Sequence, residues 1–435
     1  MKTNTLSSEV INELRSINLP EVDAFHKSLS SRTADRERNP DLICFSHLRW
    51  DFVYQRPQHL LSRAARDRRV FVIEEPIFDQ GTMRMHVSER EDGLHIVVPY
   101  LPEGLSSEIA TQAVLRKMVD RLFTDHAINN FVLWYYTPMA LAFTQHLKPL
   151  ATVYDCMDEL SAFKGAPVSL KKREEQLFAR ADLVFTGGHS LYEAKRSQHR
   201  AVYAFPSSID RKHFGKARTP LTAPVDQASI PHPRLGFFGV IDERFDIELL
   251  DSIARARPEW QFVMIGPVAK IEPELLPLHK NIHYLGGKSY KELPSYLAGW
   301  DVALLLFARN EATRFISPTK TPEYLAAGKP VVSTSIRDVV RPYSEQGLVK
   351  IADTKSEFIA AVDEILVGVS DRSEWLKSVD EFLSDMSWDE TWSRMSQLIE
   401  TVVSPREPLA SEPIQPASMK AVAARAASAS QITQR

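Results

Sequence analysis

The sequence has almost no cysteine: Cys44 and Cys156 are the only two in 435 residues. They stand in separate apolar stretches with no metal-ligand spacing. That argues against a disulfide framework and suits buried thiols in a reducing compartment. Long hydrophobic runs are missing too. The longest, such as 302–308, fall far short of the ~20 residues that cross a bilayer. The first residues, MKTNTLSSEV, contain no apolar segment of the secretory type. A cytoplasmic location is expected. No Gly-x-Gly-x-x-Gly follows a strand, which argues against a dehydrogenase, and a P-loop is absent. The net charge of −3 gives no general attraction to nucleic acid, and no nucleic-acid partner is expected.

What the chain does contain is the composition of a soluble globular protein, with 44% hydrophobic and 25% charged residues. Its length allows two or three domains. Residues 1–40 are polar and form an expected flexible arm. Beyond 405, Ala, Ser and Pro dominate, and too little apolar surface is available to offset ordering entropy. A disordered tail is expected over 405–435. Between these ends, short apolar runs at 41–45, 70–73, 96–98, 131–134, 152–154 and 183–186 alternate with helical patterns, one of them over 56–69. Continuous apolar strands separated by helices belong to parallel sheets covered on both faces. A doubly wound α/β domain is expected over 41–215. Four prolines and little periodicity mark 216–233 as a linker. Strands then recur at 234–238, 261–265, 282–285, 302–306 and 330–333, giving a second α/β domain over 234–375. Helices follow over 376–404, the last of them amphipathic at 387–403. Two such domains enclose a cleft, and ligands of these sheets bind at the carboxyl ends of the strands.

One stretch carries most of the chemistry: Ser317-Pro-Thr-Lys-Thr-Pro-Glu-Tyr-Leu-Ala-Ala-Gly-Lys-Pro-Val-Val-Ser333. Ser317 and Thr321 each place a capping hydroxyl before a proline suited to the first helical position. Gly328 and Pro330 end the helix, and a strand follows. A helix start offers N–H groups to a diphosphate, and Lys320 adds a positive charge. Glu323 can accept hydrogen bonds from a ribose diol, or merely complement the helix dipole.

The stretch resembles the Glu-Ala-Met-Ala-x-Gly-x-Pro-Val-Val signature of the family 4 (glycosyl transferases group 1) retaining GT-B glycosyltransferases. The resemblance covers about 235–335. It includes Gly236-Phe-Phe-Gly239, Met264-Ile-Gly266, and Leu285-Gly286 before Leu293-Pro-Ser-Tyr-Leu297. It implies an α/β GT-B fold, two Rossmann-like doubly wound parallel-sheet domains facing a cleft, with the donor nucleotide on the C-terminal one. By that resemblance Glu323 holds the ribose, Ser317, Thr319 and Lys320 are phosphate ligands, and Gly239 and Gly266 belong to the donor site. The family's first glutamate is replaced by Phe315, and its usual basic pair by Val240 and Phe245. Arg244, Arg314 and Lys320 are the cations left to meet the phosphates. The chain is similar to a divergent, polysaccharide-assembly branch. That implies transfer of a sugar from a UDP- or GDP-sugar to a hydroxyl of a glycan or lipid-linked acceptor. No Asp-x-Asp occurs, which argues against a metal-dependent GT-A transferase; no metal or other cofactor is expected. A GT-B nucleotide-sugar epimerase and a catalytically silent nucleotide-sugar-binding partner are the alternatives, the second suggested by Phe315.

In the N-terminal half, Phe45-Ser-His-Leu-Arg-Trp-Asp-Phe-Val-Tyr-Gln-Arg-Pro-Gln-His59 joins a strand to a helix and looks like the Arg-Pro-Gln loop of that branch. Trp50, Arg56 and Gln58 are candidate acceptor or cleft residues, although Trp50 can equally anchor the loop to the core. Asp155, Asp158 and His47 are candidate bases for an acceptor hydroxyl, which needs a carboxylate or imidazole within hydrogen-bond reach. Either aspartate can instead cap the following helix. Arg56, Arg63, Arg66, Arg68 and Arg69, with Lys171-Lys-Arg173, are either a solvated face or a peripheral contact to an anionic membrane.

Overall fold

The computed structural model describes residues 39–404, apart from 91–92, 106 and 369–371. The expected tail, and all but the end of the expected arm, lie outside the described residues. The first sheet comprises β1 (Asp41–Ser46), β2 (Val70–Glu74), β3 (Ile77–Asp79), β4 (Arg84–Glu89), β5 (Leu94–Pro102), β6 (Phe131–Tyr135), β7 (Ala151–Cys156), β8 (Leu183–Thr186) and β9 (Val202–Ala204). Their order is β3-β5-β2-β1-β6-β7-β8-β9, and all pairs are parallel except β4 against β5. Every residue of β1, β2, β6, β7 and β8 is buried, which is why these segments are apolar without alternation. Strands β3, β4 and β9 are not among the expected ones. They lie toward the sheet edges, are half-buried at most, and so carry no continuous apolar run.

The second sheet comprises β10 (Arg234–Phe238), β11 (Gln261–Ile265), β12 (Ile282–Tyr284), β13 (Val302–Leu305), β14 (Val331–Ser333) and β15 (Val349–Ile351). It is parallel throughout in the order β12-β11-β10-β13-β14-β15. In each sheet the chain moves outward in one direction and then returns to continue on the other side. The switch points fall between β1 and β6 and between β10 and β13, where such folds bind ligands.

The helices used below are α1 (Arg56–Ala64), α2 (Glu108–Asp125), α3 (Leu170–Arg180), α4 (His189–Lys195), α5 (Arg211–Gly215), α6 (Ile247–Ala256), α7 (Leu293–Ala298), α8 (Lys320–Ala326), α9 (Lys355–Val367), α10 (Arg372–Phe382) and α11 (Trp388–Val403). They cover both faces of the sheets, so each sheet has a buried apolar cluster on either side. Helix α1 ends at Ala64 rather than 69, and Arg69 turns away to pair with Asp41 at 2.5 Å.

The proline-rich stretch at 216–233 is not a free tether. Ala217 and Ile230 belong to the core on one face of the second sheet. Gln227 is fully buried, donates to the Tyr296 carbonyl at 3.0 Å and accepts from Trp300 Nε1 at 2.9 Å. Its isolated buried side chains leave no periodic signal in the sequence. Helix α10 packs on the second domain through Val379, but α11 crosses back to the first. Trp388, Trp392, Met395 and Ile399 recur at helical spacing and join the core of the first sheet.

The set of arginines considered for a membrane contact is largely used internally. Arg63 and Arg66 both pair with Asp389 of α11, Arg68 with Asp67, and Arg173 with Glu108. No described helix is long and apolar enough to cross a membrane.

Because α11 supplies part of the first domain's core, removing its most buried ring should unfold that domain selectively. Trp388 is 0% exposed and stacks on His59 at 4.6 Å. Trp388→Ala should cost about 3–5 kcal/mol there. Hydrogen exchange should quicken in β1, β6 and β7 while β10 and β13 keep their protection.

Candidate active site

A cavity of about 510 Å³ opens between the domains at the carboxyl ends of the strands. The first domain contributes residues 51–56, Met157, Asp158 and Gly187. The second contributes 238–240, Arg244, 265–267, 287–290, 316–320 and Glu323.

On the second domain, β10 and β11 both run into glycines at positive φ, Gly239 at 139° and Gly266 at 140°. A Cβ on Gly266 would collide with the Gly239 carbonyl, and one on Gly239 would collide with the Lys320 side chain. The two strand ends therefore meet closely, and Lys320 lies across them into the cavity. Its ammonium sits 5.6 Å from the Phe237 ring and 5.9 Å from the Phe307 ring. Helix α8 is tied to β10 by the Phe238 N–H donating to the Tyr324 hydroxyl at 3.0 Å. That places Glu323, 4% exposed, on the cavity wall near Lys320. Burial pushes Glu323 up and Lys320 down, and each charge counters the other's shift. Glu323 Oε2 is buried without a hydrogen-bond partner.

The capping expectations for this segment need correction. Thr321 lies inside α8 with its hydroxyl buried and unpartnered. Ser317 faces the crossover between domains, where its carbonyl accepts from the Ser207 hydroxyl at 2.6 Å. Ser317 and Thr319 still line the cavity. Arg244 lines it too, but its guanidinium is held by Asp242 at 2.6–3.1 Å, so most of its charge is already met. Arg314 lies outside the cavity, and Phe315 packs against the core of the first domain.

On the first domain, the candidates separate into wall and scaffold. Asp155 is fully buried and grips Arg56 through both carboxylate oxygens at 2.9–3.2 Å; Arg56 also donates to the Phe205 carbonyl at 2.7 Å. Asp155 is thus a structural anchor for α1 and not an accessible base. Arg56 reaches the wall, but its charge is committed to Asp155. Trp50 and Gln58 are also scaffold. Trp50 packs partly buried on the core, and its N–H donates to Glu74 at 2.7 Å. Gln58 donates to the Trp50 and Val53 carbonyls at 2.7 and 2.9 Å. These bonds fold the loop so that 51–55, and not Trp50, face the cavity. His47 is not on the wall; burial and nearby Lys270 push it down to about 4, leaving it neutral. Asp158 is on the wall, half-buried, and burial raises it to about 6 against the pull of Arg244 and Arg56.

The domains also touch beside the cavity. Asp338 accepts from the Ser190 N–H at 3.0 Å at the start of α4, and Arg337 pairs with Glu193. Tyr54 stacks on Tyr290 at 4.3 Å across the cleft. Neither tyrosine was expected from the sequence. Tyr290 sits four residues after Gly286, within the stretch that carries the family resemblance, but no charge or motif marks it.

Residues 232–367 match the model of glycosyl transferases group 1. That match covers most of the C-terminal domain. Within that stretch, seven of the eight residues expected to meet the donor line the cavity, and Arg314 does not. A relative in Bacillus subtilis, bearing the name teichuronic acid biosynthesis glycosyltransferase TuaH, is 26% identical over 54% of this chain and 63% of its own length. The match therefore spans less than two thirds of that relative. Among solved structures, a sucrose-phosphate synthase from Thermosynechococcus elongatus matches with TM-score 0.63 and 12% identity, over 84% of this chain and 99% of that one. Anabaena HepE in complex with UDP and glucose matches with TM-score 0.57 and 14% identity, over 83% and 100%. At such identities the likeness establishes the fold, which is GT-B.

Asp158 yields a pH-dependent prediction. Its folded-state value lies above its ordinary one, so ionising it opposes folding above about pH 6. That opposition fades as the pH falls toward 4, where the unfolded chain binds the proton too. Asp158→Asn should therefore raise the melting temperature at pH 7–8, and the gain should shrink between pH 6 and 4. An equal gain at all pH values would contradict it.

Proposed function

We propose that the chain is a glycosyltransferase that moves a sugar from a UDP- or GDP-sugar to a hydroxyl of a glycan or lipid-linked acceptor, in the cytoplasm. The observation that carries this is the half-buried Lys320 and the buried Glu323 on the wall of the interdomain cavity, with one Glu323 oxygen lacking a partner. A buried carboxylate oxygen with no donor suits a ribose hydroxyl, and a desolvated ammonium beside it suits a diphosphate.

In this reading the diphosphate rests against Lys320 and residues 317–319, and Lys320 meets the charge that develops on the leaving group. No metal or other cofactor is needed for that step. Asp158, on the opposite wall and raised toward neutrality, receives the acceptor's proton. Arg56 and Asp155 hold the loop at 51–55 that closes over the donor. Closure of the two domains keeps water from the activated sugar. The family match over 232–367 supports the reading, as do HepE in complex with UDP and glucose and the trehalose-6-phosphate protein of E. coli bound with UDP-2-fluoro glucose. The name of TuaH supports a role in polysaccharide assembly.

A thermal-shift screen against UDP, GDP, ADP and their common sugars tests this, since a ligand of the native state must raise its apparent stability. One nucleotide should stabilise the wild type by several degrees, and Glu323→Ala should lose most of that shift while its own melting temperature stays close to wild type. Stabilisation of the variant equal to wild type would remove Glu323 from the site.

A further inference from the structure

We propose that Tyr290 is a ribose-reading residue, whose hydroxyl donates a hydrogen bond to the nucleotide's diol opposite Glu323, on a ring clamped from the N-terminal domain. This rests on the proposed function and deepens it.

Two side-chain oxygens of the cavity-lining residues are buried without any partner, Glu323 Oε2 and the Tyr290 hydroxyl, apart from those of residues set behind the wall. Glu323 is also the leading charge acting on that hydroxyl, which places the two groups in one neighbourhood. Buried polar atoms are kept unpaired in native proteins where something else completes them, because leaving them so opposes folding. The Tyr290 ring is not free to swing toward solvent. His213, within α5, stacks on one side at 4.3 Å and 12° and binds the Tyr290 carbonyl at 2.9 Å. Tyr54 of the first domain stacks at 4.3 Å and 24°, and Phe214 packs edge-on at 5.5 Å. The aim of the hydroxyl is therefore set by three aromatic neighbours from two parts of the chain.

The chemistry of the pair selects the group that fills it. Glu323 needs an O–H donor, and Tyr290 needs an acceptor. A phosphate oxygen would satisfy Tyr290 but would be repelled by an ionised Glu323. A vicinal diol answers both, with one hydroxyl donating to Glu323 and the other accepting from Tyr290. Since the ring is held by Tyr54, the bond forms at full strength only with the first domain in place. Nucleotide affinity is then coupled to the seam between the domains.

The test compares wild type, Tyr290→Phe and Glu323→Ala by calorimetric titration with UDP, 2′-deoxy-UDP and 3′-deoxy-UDP, or the same GDP series where GDP is the nucleotide bound. Tyr290→Phe keeps the stacked ring and removes only the hydroxyl. It should bind the parent diphosphate about three- to tenfold more weakly, the range for one hydrogen bond. Its loss should vanish against whichever deoxy analogue lacks the accepting hydroxyl. Its ligand-free melting temperature should equal or exceed that of wild type, because an unpaired buried hydroxyl is gone. Unchanged affinity in Tyr290→Phe, with Glu323→Ala still defective, would overturn this inference and leave the donor site standing. Equal losses for all three nucleotides, with a lowered melting temperature, would make Tyr290 structural only and also overturn it. Failure of the wild type to bind UDP or GDP at millimolar concentration would overturn the proposed function itself.

Discussion

Lys320 reaches the cleft by crossing over Gly239, and it can do so only because that residue has no side chain. The same glycine lets β10 and β11 end in near contact, with the Gly239 N–H donating to the Ile265 carbonyl at 2.8 Å. A desolvated ammonium at this position calls for a counter-charge, and α8 supplies it one turn later as Glu323. The helix cannot rotate Glu323 away, since Tyr324 on the same turn is bound to the end of β10. Two backbone conformations that favour glycine thus determine where one positive and one negative charge stand at the mouth of the second sheet. On the facing domain Arg56 and Asp155 have the analogous task, a buried bidentate pair joining α1 to β7. Breaking such a pair typically costs about 3–5 kcal/mol, because one charge is left buried alone. The pair fixes the start of α1, on which the loop at 51–55 stands.

Much of the fold was legible in the sequence because strands buried on both faces advertise themselves. The apolar runs at 41–45, 131–134 and 234–238 coincide with the central strands of both sheets. Edge strands such as β4, with half its side chains in water, do not stand out from loop sequence. The same limit hid the packing of 216–233, where Gln227 does its work through two hydrogen bonds that no periodicity encodes. In the site, the family signature located the residues of the second domain because glycines and a glutamate at fixed spacing reflect backbone geometry. The first domain was less legible. Asp155 and Asp158 are three positions apart and chemically identical, yet one faces inward to Arg56 and the other lines the cavity. Only the end of β7 decides between them. Arg244 looked like a free cation because nothing in the spacing told that Asp242 would fold back on it.

The contacts that join the domains beside the cavity include a serine pair, Asp338 with the start of α4, Arg337 with Glu193, two stacked tyrosines, and Phe315 packed on the core of the first domain. The exposed Arg337–Glu193 pair contributes about 0–1 kcal/mol. An interface of that character can open and reclose, which a site enclosed on both sides requires if ligands are to enter.

The path of α11 has a further consequence for how the molecule comes into being. As the chain leaves the ribosome, β1 to β9 are complete at Ala204, long before Trp388 begins the helix that roofs one of their faces. Until Trp388, Trp392, Met395 and Ile399 arrive, the nascent first domain exposes the apolar surface around Trp134 and Phe185 that they later cover. The two halves therefore cannot mature in strict succession, as independent beads on a string would. The last described helix acts as the closing step for the first sheet, and the newborn chain carries an uncovered, adhesive face until that helix is made.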